Sequence, residues 1–253
     1  MGNEKRFAVL IDADNISDKY VKLIFDEVSN DGVVTYKRIY GDWTKPNLAS
    51  WKNILLDFSI TPIQQYGYTT GKNSTDSAMI IDAMDILYTK NVEGFCLVTS
   101  DSDFTRLASR LRESGMQIIG MGEKKTPKPF ISACNQFKYL DLLAVAIAAE
   151  EGTLRKPPEE SSTNNVKSTE AVYPDKAGLI NEVKRIIEEI SDDDGWAFLG
   201  DIGNVLNKRH PDFDTRNYGF KKLTPFLSQT KEFEIESRSS KGSNVKLYFV
   251  KLK

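Results

Sequence analysis

The chain has 253 residues, with 34 Lys and Arg against 36 Asp and Glu and a formal net charge of −2. Hydrophobic residues make up 40% of it and charged residues 28%, the balance of a globular protein long enough for one large domain or two modest ones. A single histidine, His210, and two cysteines, Cys96 and Cys134, exclude paired-histidine metalloprotease motifs, three-histidine zinc centres and four-cysteine zinc sites, which leaves chemistry to carboxylates and to a cation that they hold.

Residues 1–148 alternate two patterns. Residues 7–11, 33–40, 61–65, 94–99 and 117–121 read as strands, and 20–28, 48–58, 75–88 and 104–112 read as helices. Segments 7–11 and 94–99 are apolar almost throughout, the mark of parallel strands covered on both faces. In the third helix Met79, Ile80, Met84 and Leu87 share one stripe. This alternation predicts an α/β fold with a doubly wound, mostly parallel sheet, whose functional crevice lies outside the carboxyl ends of the strands. Asp12 and Asp14 interrupt the first apolar run, so it lacks a signal-peptide core, and no run approaches the ~20 residues of a membrane span. A protein without membrane contact and with two reduced cysteines in its core is expected in the cytoplasm.

Residues 149–174 change character. They are polar, hold Pro157 and Pro158, lack apolar period, and read as a flexible linker. Residues 175–253 then form a smaller domain. Leu179, Ile180, Val183, Ile186, Ile187 and Ile190 mark one amphipathic helix. A second carries Phe198, Leu199, Ile202, Val205 and Leu206, and a third Phe220, Leu223, Phe226 and Leu227. Alternating strands at 233–236 and 245–250 flank a Ser-Ser-Lys-Gly-Ser turn. Three helices and a hairpin make a winged-helix-like plan. Neither half is a polybasic arm, so nucleic acid would have to be met by a local patch.

Acidic residues fall where the α/β plan places function. Asp12 and Asp14 follow the strand at 7–11, Asp101 and Asp103 follow the strand at 94–99, and Asp76 opens the helix after Lys72. If the two strands are neighbours, their ends bring these carboxylates together. Like charges so placed repel and raise one another's pKa unless a cation sits among them, and an all-oxygen donor set suits Mg²⁺ or Mn²⁺. Each residue alone also has a structural reading: Asp103 as a helix cap, Asp76 as a favourable charge in a first helical turn. Asp82 and Asp85 point away from Asp76 on the helical period and read as structural or solvated.

The motifs Leu10-Ile-Asp-Ala-Asp-Asn-Ile16, Lys72-Asn-Ser-Thr-Asp76 and Val98-Thr-Ser-Asp-Ser-Asp-Phe104 resemble those of the NYN domain, a branch of the PIN-like nucleases. Tyr40-Gly-Asp-Trp43, Gly122-Glu-Lys-Lys-Thr-Pro127 and the segment 130–141 resemble the bacterial variety. The resemblance implies a metal-dependent ribonuclease with Asp12, Asp76, Asp101 and Asp103 as catalytic carboxylates and metal ligands, Asp12 and Asp101 foremost. Asn15 and Ser100 would bind those ligands or substrate phosphate, and Lys72, Lys124 and Lys125 would offset phosphate charge if their loops border the crevice. Tyr40 and Trp43 are candidates for base stacking, with a core role the alternative. Further on, Gly195-Trp-Ala-Phe-Leu-Gly-Asp-Ile-Gly-Asn-Val-Leu206 and Arg216-Asn-Tyr-Gly-Phe-Lys-Lys-Leu223 resemble the OST-HTH/LOTUS domain. That resemblance implies a module binding RNA or a protein partner. Arg216, Lys221 and Lys222, joined by Arg238, Lys241 and Lys246, are candidates for its basic face.

Two rival readings stand beside the nuclease. Asp12-Ala-Asp14 after an apolar strand also resembles the aspartate pair of haloacid-dehalogenase-type phosphatases, with Asp12 as nucleophile, although Asn15 takes the place of the glycine expected there. The other is a non-catalytic RNA-binding adaptor whose carboxylates are structural.

Overall fold

Six strands carry the first part of the chain: β1 (Arg6–Asp12), β2 (Val33–Gly41), β3 (Thr61–Gln64), β4 (Gly94–Val98), β5 (Gln117–Gly122) and β6 (Gln136–Tyr139). They pair in parallel throughout, in the order β3-β2-β1-β4-β5-β6. The computed structural model describes residues 4–66, 74–150, 176–239 and 246–253, and it divides into two compact units between Ala144 and Val145.

The order doubles back at β1 and β4, so the sheet is doubly wound and its switch point lies between those two strands. β1 and β4 are buried along almost their whole length, which explains their unbroken apolar sequences. Alternate side chains feed two cores. Ala8, Leu10, Phe95 and Leu97 face α3 (Ser74–Thr89), α4 (Thr105–Glu113) and α5 (Lys128–Ala133). Phe7, Val9, Ile11, Cys96 and Val98 face α1 (Val21–Ser29), α2 (Ala49–Lys52) and the start of α6 (Leu140–Glu150). Each fully buried large side chain in these layers contributes about 1.5–3 kcal/mol through removal from water.

One ionic cluster lies inside the second core. Lys138 of β6 reaches Glu27 at 3.1 Å and Asp31 at 3.0 Å, and its Nζ also donates to the Glu27 carbonyl at 3.1 Å. Lys138 is 4% exposed and Glu27 5%, so this is a buried link between the edge strand and the end of α1.

Several expectations need correction. The helix read at 48–58 is regular only over Ala49–Lys52. Residues 53–59 continue in turns, ending with Ser59 at φ 53°, because Asn53, Asp57 and Ser59 favour turns and the turns still deliver Ile54, Leu55 and Phe58 to the core. Leu56, within that segment, is 90% exposed. β6, α5 and α6 were not anticipated as elements, and the linker expected at 149–174 lies outside the described residues except for 149 and 150, which end α6.

The second unit holds α7 (Lys176–Ile190), β7 (Ala197–Phe198), α8 (Leu199–Arg209), α9 (Leu223–Gln229), β8 (Phe233–Ser239) and β9 (Lys246–Leu252). The three strands pair antiparallel in the order β7-β9-β8 over a core of Val183, Ile186, Ile202, Leu206, Phe226 and Val250. Three helices and a hairpin are present as expected, but Phe198 belongs to a short strand against Phe249 and Phe220 precedes α9. No helix among the described residues is long and apolar enough to cross a membrane.

Candidate active site

At the switch point Ile11 pairs with Val98, so the next residues, Asp12 at the end of β1 and Thr99 just beyond β4, follow side by side. Asp12 is 1% exposed. Its Oδ2 accepts from Asn15 Nδ2 at 2.6 Å and from Thr99 Oγ1 at 2.9 Å, and its Oδ1 accepts from the Asp14 amide at 3.1 Å. Burial pushes its carboxyl above the usual aspartate range, and the Asn15 and Thr99 hydrogen bonds oppose that rise.

Thr99 is fully buried, and its hydroxyl serves both sides. It donates to Asp12 and accepts from the Asp101 amide at 3.1 Å. Asp101 in turn accepts from the Asp103 amide at 2.9 Å and caps the short 3₁₀ turn Ser102–Phe104. The capping side chain is therefore Asp101, whereas the sequence pattern suggested Asp103. Thr99 was not singled out from sequence; its position one residue beyond β4, level with Asp12, is the signal that could have found it.

Asp76 arrives from the first turn of α3, which packs on β1 and β2. One carboxylate oxygen from each of Asp76, Asp101 and Asp103 lies within 4.8 Å of the others. Asp12 sits beside this group, near enough for its charge to act on Asp76. Burial, reinforced by the charges of Asp12, Asp101, Asp103 and Asp14, pushes the Asp76 carboxyl up to about 6. Three oxygen donors in mutual reach, with uncompensated repulsion and no nitrogen or sulfur ligand, fit a hard divalent cation.

The remaining expected residues are dispersed around this cluster. Asn15 holds Asp12, and Ser100, 7% exposed, accepts from the Glu123 amide at 2.9 Å. Gly122 makes that approach possible: a Cβ there would lie 2.6 Å from the Thr99 carbonyl oxygen. Lys124 has an exposed side chain, while its amide donates to both Asp141 oxygens at 3.1 Å. Lys125 pairs with Glu123 at 2.8 Å. Lys72 lies outside the described residues. Tyr40 is fully buried with its hydroxyl on Asp82, which also pairs with Arg38, so Asp82 is structural. Trp43 is partly buried, and its indole N–H donates to the Ile63 carbonyl at 3.1 Å. Both aromatics thus serve the core.

In the second unit Arg216 is held by Asp214, with Nη2 to Oδ2 at 2.7 Å, while Lys221 and Lys222 are exposed ahead of α9. Arg238 lies over the rings of Trp196 and Phe249, at 5.2 and 4.4 Å. Lys246 is exposed and Lys241 is outside the described residues.

Two family models match the chain. The NYN domain family matches residues 6–141, and the OST-HTH/LOTUS domain matches residues 178–245. Among solved structures, the crystal structure of a protein of unknown function from Vibrio parahaemolyticus is similar at 18% identity, over 54% of this chain and 93% of that one, with a TM-score of 0.45. The solution structure of an uncharacterized protein from Nitrosomonas europaea is similar at 35% identity, over 39% of this chain and 92% of that one, with a TM-score of 0.28. No curated protein matches. With its NYN match spanning more than half of the sequence and a carboxylate cluster at the switch point of a doubly wound sheet, the chain belongs to the NYN family of PIN-like nucleases and carries an OST-HTH/LOTUS domain after it.

Proposed function

We propose that this protein is a divalent-cation-dependent ribonuclease that hydrolyses RNA phosphodiester bonds at Asp12, Asp76, Asp101 and Asp103. The observation that carries this reading is the convergence of Asp76, Asp101 and Asp103 within 4.8 Å beside Asp12. Those three residues would hold Mg²⁺ or Mn²⁺, with Asp12 ligating directly or through water. When bound, such an ion neutralises charge on the scissile phosphate and lowers the pKa of a coordinated water.

The protein's own groups do the rest. Asn15, Thr99 and the Asp14 amide fix the Asp12 carboxylate, so its orientation is set before substrate arrives. Thr99 ties Asp12 to the Asp101 loop, and one of the four carboxylates accepts the proton of the attacking water. Ser100 sets the height of the 123–125 loop, from which Lys124 and Lys125 approach substrate phosphates; Lys72 is assigned the same role.

The OST-HTH/LOTUS domain supplies RNA affinity through Arg216, Lys221 and Lys222, and a protein partner at that domain is the alternative. The buried free thiols of Cys96 and Cys134 agree with a reducing cytoplasmic setting. The phosphatase reading has little support, because Asp12 is buried with both oxygens engaged and Asp14 lies near Lys45 at 3.9 Å. Incubating the full chain with labelled single-stranded and structured RNA in Mg²⁺, Mn²⁺ and EDTA tests the proposal. Cleavage in the metal arms alone is expected. Binding without cleavage in every arm would leave the adaptor reading instead.

A further inference from the structure

Side chains alternate along β1, so the edge of the sheet has two sides. Asp12 shares its side with Ala8 and Leu10, facing α3 and the carboxylate cluster. Ala13, Ile16, Leu48 and Trp51 belong to the other side, and there a cleft of about 350 Å³ opens beside the same loop. Its lining includes Asp14, Asp18, Asn47, Ser50, Glu123 and Lys125, and it also includes Asn15, the residue that donates to Asp12 at 2.6 Å. A strand of RNA crossing the sheet edge with a phosphate at the cluster would therefore bring a neighbouring nucleoside over the 13–17 loop to this cleft.

The lining says which part of a nucleotide enters. Three carboxylates, Asp14, Asp18 and Glu123, repel a phosphate and accept N–H donors. Lys45 lies 3.9 Å from Asp14 and Lys125 pairs with Glu123 at 2.8 Å, so two of the three acids have a cation beside them. Asp18 takes the Ser17 hydroxyl on Oδ1 at 3.3 Å, and Asn47 adds an amide able to donate and accept. Trp51 is 2% exposed with its indole N–H on the Ile16 carbonyl at 3.3 Å, so the floor is fixed and recognition falls to the polar edge. Guanine is the base whose pairing edge presents two N–H groups side by side, the pattern a carboxylate accepts with both oxygens.

We propose that this cleft seats the nucleoside next to the scissile phosphate and prefers guanine, read by Asp18 with Asn47. The assignment rests on the ribonuclease reading above. The test uses the full chain with short uridine oligoribonucleotides carrying one central guanosine, adenosine or cytidine. Cleavage positions and kcat/KM are measured with Mg²⁺ or Mn²⁺, and binding of the same oligonucleotides is followed by fluorescence anisotropy. Cleavage beside guanosine is expected at about tenfold or more the efficiency seen with the other bases. Asp18→Asn and Asn47→Ala should each cut that preference to about twofold, while the circular dichroism spectrum and the Mg²⁺-dependent rise in Tm stay as in the parent. Cleavage without base preference, or a preference that survives both substitutions, would overturn the seat and leave the ribonuclease intact. Guanosine-selective binding that both substitutions abolish, without any cleavage, would keep the seat and overturn the ribonuclease. Neither cleavage nor selective binding would end both.

Discussion

The two units handle charge in opposite ways. At the carboxyl edge of the first, a chain of hydrogen bonds ties the site together: Asn15 and Thr99 donate to Asp12, the Asp101 amide donates to Thr99, and the Asp103 amide donates to Asp101. Deeper in the same unit, Lys138 is sealed between Glu27 and Asp31. The second unit keeps its ions at the surface, as with Arg209 against Glu182 and Glu189, and Lys221 and Lys222 are exposed. Buried, interlocked charge sets geometry for chemistry, whereas exposed charge sets affinity and responds to salt. Under the proposed function, that contrast places turnover in the first unit and grip in the second.

Breaking the first unit's geometry should give the largest effect. Asp101→Asn is expected to lower RNA cleavage by about 10³-fold, equal to roughly 4 kcal/mol of transition-state stabilisation, and to blunt the rise in Tm with Mg²⁺. Gel-based cleavage assays and thermal melts with and without the ion provide the check; an unchanged metal response would show that Asp101 is not a ligand.

The buried lysine sharpens the comparison on the side of stability. Lys138→Met leaves Glu27 buried without its cation, and removal of one partner from such a pair costs about 3–5 kcal/mol. Urea unfolding of the full chain should show the first unit's transition moving to lower denaturant. Arg209→Ala, the exposed counterpart, should barely move the second unit's transition.

A smaller change is expected when the second unit loses its exposed charge. Lys221→Ala with Lys222→Ala should raise KM for long RNA by about fivefold at unchanged kcat, the behaviour of uniform binding energy. Two lost contacts to a single strand should flatten the log–log salt dependence by about 1.4. An identical KM and slope would mean that this face binds a protein.

The smallest effect tests repulsion in the cluster. The Asp76 carboxyl stands at about 6, against about 3.9 for an ordinary aspartate. The folded state therefore holds this proton more tightly than the unfolded one. That contribution is complete below about pH 4 and disappears as pH rises through 6. Asp76→Asn removes the charge, so with EDTA present it should raise Tm by about 2 °C at pH 8 and leave it unchanged at pH 4. Calorimetry at the two pH values decides it, and equal Tm shifts at both would show that neither burial nor the neighbouring carboxylates raise the Asp76 carboxyl.

What could be read from sequence followed the strength of local pattern. Strands β1 and β4 announce themselves because both faces are buried, and the acidic residues after them follow directly from that placement. Asp76 could be placed because it starts a long helix. β7 could not: Ala197 and Phe198 form a strand only through β9, some fifty residues later, and on their own they extend the apolar period of α8. β6 is four residues with a buried lysine in third place, a residue that local rules assign to the surface, and only partners in and just after α1 permit it. The bond from Ser100 to the Glu123 amide likewise depends on the β4–β5 pairing and on the space at Gly122, which no local spacing reveals.

Lys138 also bears on the order of events during synthesis. Its partners precede it by 111 and 107 residues, so Glu27 and Asp31 leave the ribosome long before their counter-ion. Until β6 emerges, the growing chain keeps the open edge of β5 and two carboxylates that hold the end of α1 in water. Closure of the sheet therefore waits for nearly the whole first unit, a high-contact-order step that is intrinsically slow. Chain growth at about 5–20 residues per second then gives this step several seconds before residues 176–253 are all available. The second unit, whose hairpin and helices are local, can fold after that without competing for the first unit's exposed edge.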